Sequence, residues 1–134
     1  MSIIAIRAAL ETALNGMTPQ LATAWENTAF TPAVGTPYQK VVLMLAEPDN
    51  SESGARYIEQ GYMQVDLRYP LSKGTADAGA RAVALRTTFK RGLTFTSGGI
   101  NVVIERTPQI MPGRNDEDRY VVQVCIRFTA QVSG

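Results

Sequence analysis

Apolar and polar side chains alternate most regularly in two stretches of the chain. In residues 61–70, Met63, Val65 and Leu67 alternate with polar neighbours. In residues 120–132, every second residue, beginning with Tyr120, has an apolar or aromatic side chain. Because successive side chains of a strand point to opposite faces, each stretch predicts a half-buried strand with a fixed register. The sheet is therefore expected to be built around these two strands.

The first of these strands is predicted to run from residue 56 to 69 and to end at Pro70, which has no backbone donor for a ladder. Gly61 lies inside it and predicts either a bulge or a close backbone approach. The polar face carries Tyr62, Gln64, Asp66 and Arg68. That face is a candidate contact surface.

Two other stretches have helical periodicity. The first is predicted over residues 3–16, with Ser2 as its cap, and the second over residues 75–91, with Thr75 as its cap and Lys90 and Arg91 in its last turn. The predicted apolar stripes are Ile3, Ile6, Leu10, Ala13, Leu14 and Met17 in the first helix, and Ala78, Ala82, Leu85 and Phe89 in the second. Each stripe needs a surface to cover, most simply one face of a sheet.

The remaining segments are shorter. Residues 41–45 are continuously apolar, which predicts a central strand covered on both faces, and residues 23–32 contain one short strand around Trp25. Gly98 and Gly99 predict a hairpin turn, while residues 47–56 and 108–119 are predicted to be hydrophilic loops. The fold class is α+β, a mostly antiparallel or mixed sheet with two helices packed on one face, in a single domain over residues 1–134.

Composition narrows the function classes. The chain has 134 residues, 45% hydrophobic and 19% charged, with a net charge of +1. This predicts a packed domain without a broad basic field for nucleic acid or anionic lipid. The single cysteine, Cys125, excludes an internal disulfide, and no apolar run is long enough to cross a bilayer. We expect no membrane partner.

Candidate chemistry is sparse. The chain has no histidine, which removes the commonest general base and most catalytic zinc sites. Glu26, Glu105 and the acidic run 116–118 are candidates for an acid and base pair, but solvated surface charges are the favoured interpretation. Residues 49–54 share the first half of an EF-hand loop, whose twelfth position is here Gln60 and not glutamate. We expect no catalytic residue, no metal and no cofactor.

The second helix carries a basic set that is predicted to form its outer surface: Arg81, Arg86, Lys90 and Arg91. Ordinary solvation is favoured over a docking site for an acidic partner. Cys125 lies opposite the apolar series of the last strand and is interpreted as a packed small residue.

Several segments, in their order, resemble a known family. They are residues 23–27 (Thr-Ala-Trp-Glu-Asn), 30–32, 35–38 and 64–70 (Gln-Val-Asp-Leu-Arg-Tyr-Pro), together with the final alternating strand. The chain resembles the small tail terminator-like proteins of long-tailed bacteriophages, which are related in fold to the lambda-type minor tail protein U. The likeness spans nearly the whole chain.

The resemblance implies a structural protein without catalysis. It implies a ring, commonly a hexamer, on the head-proximal end of the tail tube, where it halts tube polymerisation and presents a surface to the head. The implied partners are other copies of the chain, the major tail tube protein and head–tail connector proteins, with DNA only as passing cargo. The implied location is the virion tail, after synthesis in the bacterial host cytoplasm.

The candidate contact residues follow from the hydrophilic loops and the polar face of the first strand. They are Asp49, Glu52, Arg56, Asp66, Arg68, Arg114, Asp116, Glu117 and Asp118. A related hypothesis places the acidic run 116–118 on the bore of the ring, where negative charge would let DNA slide. Two alternatives remain open: a head-completion or neck protein, and a small carboxylate-based enzyme or ligand-binding domain.

Overall fold

The computed structural model describes residues 2–18, 20–33, 35–50 and 54–132, and in this part of the chain two helices lie on one face of a mixed sheet. The α+β prediction is confirmed. In chain order the elements are α1 (Ser2–Asn15), β1 (Ala22–Ala24), β2 (Tyr38–Leu45), β3 (Tyr57–Pro70), α2 (Ala76–Thr88), β4 (Thr94–Ser97), β5 (Ile100–Ile104), β6 (Gln109–Ile110), β7 (Arg114–Asp116) and β8 (Arg119–Val132).

The two alternating stretches form the centre of the sheet. Strand β3 pairs antiparallel with β8 over all 14 of its residues, from Tyr57 opposite Val132 to Pro70 opposite Arg119. The register is unbroken, so the bulge predicted at Gly61 is wrong. The close approach is confirmed, because a Cβ at Gly61 would lie 2.2 Å from the carbonyl oxygen of Met44.

The other strands extend this pair on both sides, in the order β1-β2-β3-β8-β5-β4. Strand β1 pairs parallel with the start of β2, whereas the other strand pairs are antiparallel. Gly98 and Gly99 both have positive φ and form the predicted two-residue turn of the β4–β5 hairpin. That prediction is confirmed.

The core lies between the sheet and the two helices. Helix α1 packs on β4 and β5, and α2 packs on β3 and β8. The alternating inward residues of β3 and β8 are buried as predicted: Met63, Val65, Leu67, Val122, Val124, Ile126, Phe128, Ala130 and Val132. At about 1.5–3 kcal/mol for each large apolar side chain, this face is the main source of stability. We call the opposite side the outer face.

The helices differ from prediction at their ends. Ile3, in the first turn of α1, is 47% exposed, and the residue of that helix that lies against Gly98, at the tip of the β4–β5 hairpin, is Ala5. The cap predicted at Ser2 rests on a side chain outside the described ones. Thr75 precedes α2 but makes no side-chain capping hydrogen bond, and Lys90 and Arg91 lie beyond the end of the helix. The stripe predicted for α2 is buried.

Strand β2 is not covered on both faces, as had been predicted from its apolar run. Met44 is 37% and Leu45 39% exposed, because β1 reaches only Lys40 and the helices do not cover the far end of β2. The short strand expected around Trp25 ends at Ala24, and Trp25 packs half-buried against the core.

Residues 108–119 are not a long loop. Strands β5, β6 and β7 follow one another along the edge of β8 that β3 leaves free. The backbone amides of Glu105 and Met111 still donate to β8, and the chain leaves this line only at residues 106–108 and 112–113, which contain Pro108 and Pro112, residues without a ladder donor. The prediction failed because paired segments of two or three mostly polar residues are too short to show an alternation.

Candidate interface surface

The predicted contact residues fall at opposite ends of the sheet. Asp49 and Arg56 are exposed beside the start of β3, and Glu52 lies outside the described residues. The other six residues lie in the C-terminal half of β3 or around the β7–β8 turn: Asp66, Arg68, Arg114, Asp116, Glu117 and Asp118. The two loops chosen from hydrophilicity therefore cannot form one continuous patch.

Three of these side chains come together at the β7 end. Arg68 donates to Asp116 Oδ2 at 3.0 Å, and Arg114 lies 4.0 Å from the same oxygen. Arg68 is mostly covered, with 15% of its side chain exposed, while Asp116 is 38% exposed. Asp116 is therefore partly neutralised, which leaves Glu117 and Asp118 as the exposed carboxylates of the turn.

The sequence did not single out Arg119, which anchors this end. It is 5% exposed and donates to the carbonyl oxygens of Thr36 and Ala33, the latter at 2.9 Å. Its guanidinium also lies 5.0 Å from the ring centroid of Tyr38. The guanidinium of Arg68 lies 5.9 Å from the same centroid. Arg119 thus holds the backbone of Ala33 and Thr36 on the outer face. We call Tyr38, Arg68, Asp116 and Arg119 the anchored end.

The outer face has a different character further along β8. A cleft of about 820 Å³ lies beside the bulge at residues 106–108 and is lined by outer-face residues of β3 and β8, by residues 106–109 and by Arg86 of α2: Tyr62, Cys125, Arg127, Arg106, Thr107, Pro108, Gln109 and Arg86. None of these lining residues is acidic, and Glu105 lines only a neighbouring hollow with Arg91 and Arg106. We call this the arginine cleft.

Two features shape the arginine cleft. The bulge at residues 106–108 carries Arg106 away from the ladder, and Arg86 Nε on α2 donates to the carbonyl oxygen of Pro108 at 3.0 Å. Cys125 lies on the cleft floor, where burial and then the nearby charge of Asp66 raise the pKa of its thiol, while Arg127 acts to lower it. The thiol is therefore held in its neutral, unreactive form.

The basic surface predicted for α2 is partly wrong. Arg81 is only 6% exposed and packs near Tyr69, and burial lowers the pKa of its guanidinium. Its place follows from spacing, since it lies three residues after Ala78 and four before Leu85, on the stripe that faces the sheet. Arg86 is exposed, whereas Lys90 and Arg91 lie outside the helix.

The carboxylates considered for acid and base chemistry are not brought together. Glu26 Oε1 accepts from the backbone amide of Leu43 at 2.7 Å and from Arg7 at 2.9 Å. Although burial acts to raise it, these hydrogen bonds lower the pKa of Glu26. This carboxylate therefore accepts a hydrogen bond from a backbone amide on the unpaired edge of β2, and its role is structural. Glu105 is exposed directly after β5.

Other site types leave no trace in the described residues. Among residues 2–18, 20–33, 35–50 and 54–132, no group of three or more metal-ligating side chains is present. Half of the EF-hand-like segment, residues 51–53, lies outside them. No helix in the described chain is long and apolar enough to cross a membrane.

The chain is thus an α+β domain whose sheet carries two charged surfaces, the anchored end and the arginine cleft. Comparison with known proteins gives the family. The model of the family described as phage tail terminator protein matches residues 5–128, and the chain belongs to that family. It is therefore a structural protein of the bacteriophage tail and a component of the virion, as the resemblance in its sequence implied.

Solved structures share the fold. Eight solved chains match significantly. One of them has a TM-score of 0.79 and 27% sequence identity, over 100% of this chain and 99% of its own. A search of curated proteins gave no significant match.

Proposed function

We propose that this protein ends the growth of the tail tube. Copies of the chain form a ring, a hexamer in the simplest case, on the head-proximal end of the tube, where they stop polymerisation and present the surface that joins the head. The tube partner is the major tail tube protein, the head partner is a connector protein, and DNA passes through as cargo. The observation that carries the proposal is the family match over residues 5–128.

The fold supports a ring subunit. A closed ring of identical subunits is held by heterologous contacts, in which each subunit offers two different patches. Here β3 and β8 span the whole sheet, each 14 residues or roughly 46 Å at about 3.3 Å per residue. The anchored end and the arginine cleft lie apart on one face of this rigid support, so two different patches are available.

The test is the length of the tail when the gene is removed. A phage or prophage without this protein should make overlong tail tubes, seen by electron microscopy of induced lysates, and the wild-type gene in trans should restore uniform tails. Tails of normal length that fail to join heads would instead identify a head-completion or neck protein. Normal virions with an altered small-molecule reaction would contradict the structural proposal.

A further inference from the structure

We propose that the arginine cleft receives the carboxylates of Glu117 and Asp118 from a neighbouring copy of the chain. The proposal rests on the ring proposed above and deepens it by naming the contact between subunits. It is argued from the charge of the two patches, their separation on one molecule and the symmetry of rings.

The charges of the two patches are complementary. Arg86, Arg106 and Arg127 line the cleft without an acidic lining residue, and the carbonyl of Pro108 holds Arg86 in place. Guanidinium groups form bidentate, charge-assisted hydrogen bonds with carboxylates, and arginine is enriched at protein interfaces. The cleft is therefore suited to an acidic protein segment.

The chain itself contains such a segment. Glu117 and Asp118 form the exposed two-residue turn between β7 and β8, and Glu117 has a φ of 54°, so the turn is tight. No ion pair within the described residues involves either carboxylate, while their neighbour Asp116 is bound by Arg68. The tip of the turn is thus left for a contact outside the subunit.

The two patches cannot meet within one molecule. Arg119, next to the turn, and Arg127, in the cleft, are eight residues apart on the same straight strand, roughly 26 Å at about 3.3 Å per residue. The contact must therefore form between subunits. When the turn of each copy lies in the cleft of the next, head to tail, the contact is heterologous, and it closes a ring if the rotation between neighbours divides a full turn.

An extended nucleic acid fits the cleft less well. Binding along a phosphate backbone needs a continuous basic track, whereas here three arginines converge on one cleft and the chain has a net charge of +1. The proposal also competes with the prediction that residues 116–118 line the bore, and the same variants separate the two.

The first test reverses charge on tubes built from the major tail protein of the same phage. The cleft variant Arg106→Glu/Arg127→Glu and the turn variant Glu117→Lys/Asp118→Lys should each lose tube capping, because like charges then meet. A 1:1 mixture should restore capping, since each variant complements the other in an alternating ring. The double variant Lys73→Glu/Lys90→Glu, which changes the net charge by as much as the cleft variant does but outside both patches, should cap as the wild type does.

The second test uses the chain's only cysteine, which lies in the cleft. Asp118→Cys should give a ladder of linked subunits on capped tubes treated with a short thiol crosslinker at alkaline pH. Cys125→Ser in the same chain should abolish the ladder, and Thr12→Cys, exposed on α1 on the other side of the sheet, should not give one.

The outcomes of the two tests distinguish the proposed contact between subunits from the proposed terminator function. A ladder together with rescue by mixing supports it. Capped tubes with no ladder, or capping that is indifferent to both reversals, would overturn the contact and leave the terminator function intact. Wild-type protein that never caps tubes would overturn both. Capping unchanged in the cleft variant, with DNA binding lost, would show that the cleft takes nucleic acid.

Discussion

Arg119 and Arg127 lie on the same face of the same strand, eight residues apart, in opposite surroundings. Arg119 is buried, donates to two backbone carbonyls and lies over Tyr38, whereas Arg127 is exposed on the rim of a cleft with no acidic lining residue. The comparison shows that arginine serves folding at one end of β8 and is available for assembly at the other.

The largest effect is expected at Arg119. Arg119→Ala removes two charge-assisted hydrogen bonds and a cation–π contact, and should lower the free energy of unfolding by about 3 kcal/mol. Arg127→Ala, the matched control, should change it by less than about 0.5 kcal/mol. Urea unfolding of both variants measures the difference. Equal losses would mean that the two ends are not distinct.

The next effect concerns the scaffold beneath the arginine cleft. Gly61→Ala brings a Cβ to 2.2 Å from the carbonyl oxygen of Met44, a backbone atom that cannot swing away. The change should cost about 2 kcal/mol of unfolding free energy. Gly79→Ala, where nothing lies within 4 Å in α2, should instead stabilise the protein by about 0.5–1 kcal/mol. A large loss for Gly61→Ala beside a small one for Arg127→Ala would mean that backbone packing, and not the arginine, stabilises the cleft end of the sheet.

A smaller effect is expected for the ion pair of the anchored end. Arg68→Ala and Asp116→Asn should each cost about 1 kcal/mol, because the pair is good in geometry but Asp116 is partly exposed. A double-mutant cycle should give a coupling energy of about 0.5 kcal/mol or more. If the two losses simply add, the contact at 3.0 Å does not stabilise this end.

The smallest effect probes the charge inside the cleft. Burial and Asp66 raise the pKa of Cys125, and Arg127 acts to lower it. Alkylation of the thiol should therefore be slow near neutral pH and rise at alkaline pH. Asp66→Asn should shift the rate profile to lower pH, and Arg127→Gln to higher pH. No shift with Arg127→Gln would mean that this arginine does not act on the cleft.

The sequence predicted the centre of the sheet because burial on one face forces strict alternation, as in Met63, Val65 and Leu67. It failed where that constraint is absent. Strands β6 and β7 are two and three residues long and mostly polar, so their pairing with β8 leaves no periodic signal. In β2 the apolar run continues into Met44 and Leu45 although each is more than a third exposed.

The candidate surface was predicted only in part. Arg68 and Asp116 were both chosen, but their contact joins residues 48 positions apart. Arg119 reaches carbonyl groups more than 80 residues earlier in the chain, and backbone acceptors carry no signature in side-chain sequence. Arg106 and Arg127 were missed because the bulge that brings them together depends on pairing the sequence did not reveal.

The most direct test of this account is tail-tube length in the presence of Arg106→Glu/Arg127→Glu, measured by electron microscopy beside the urea unfolding midpoint of the same protein. The account predicts overlong tubes with an unfolding midpoint like that of the wild type, because these arginines serve assembly and not folding. Tubes of normal length from the variant would contradict it.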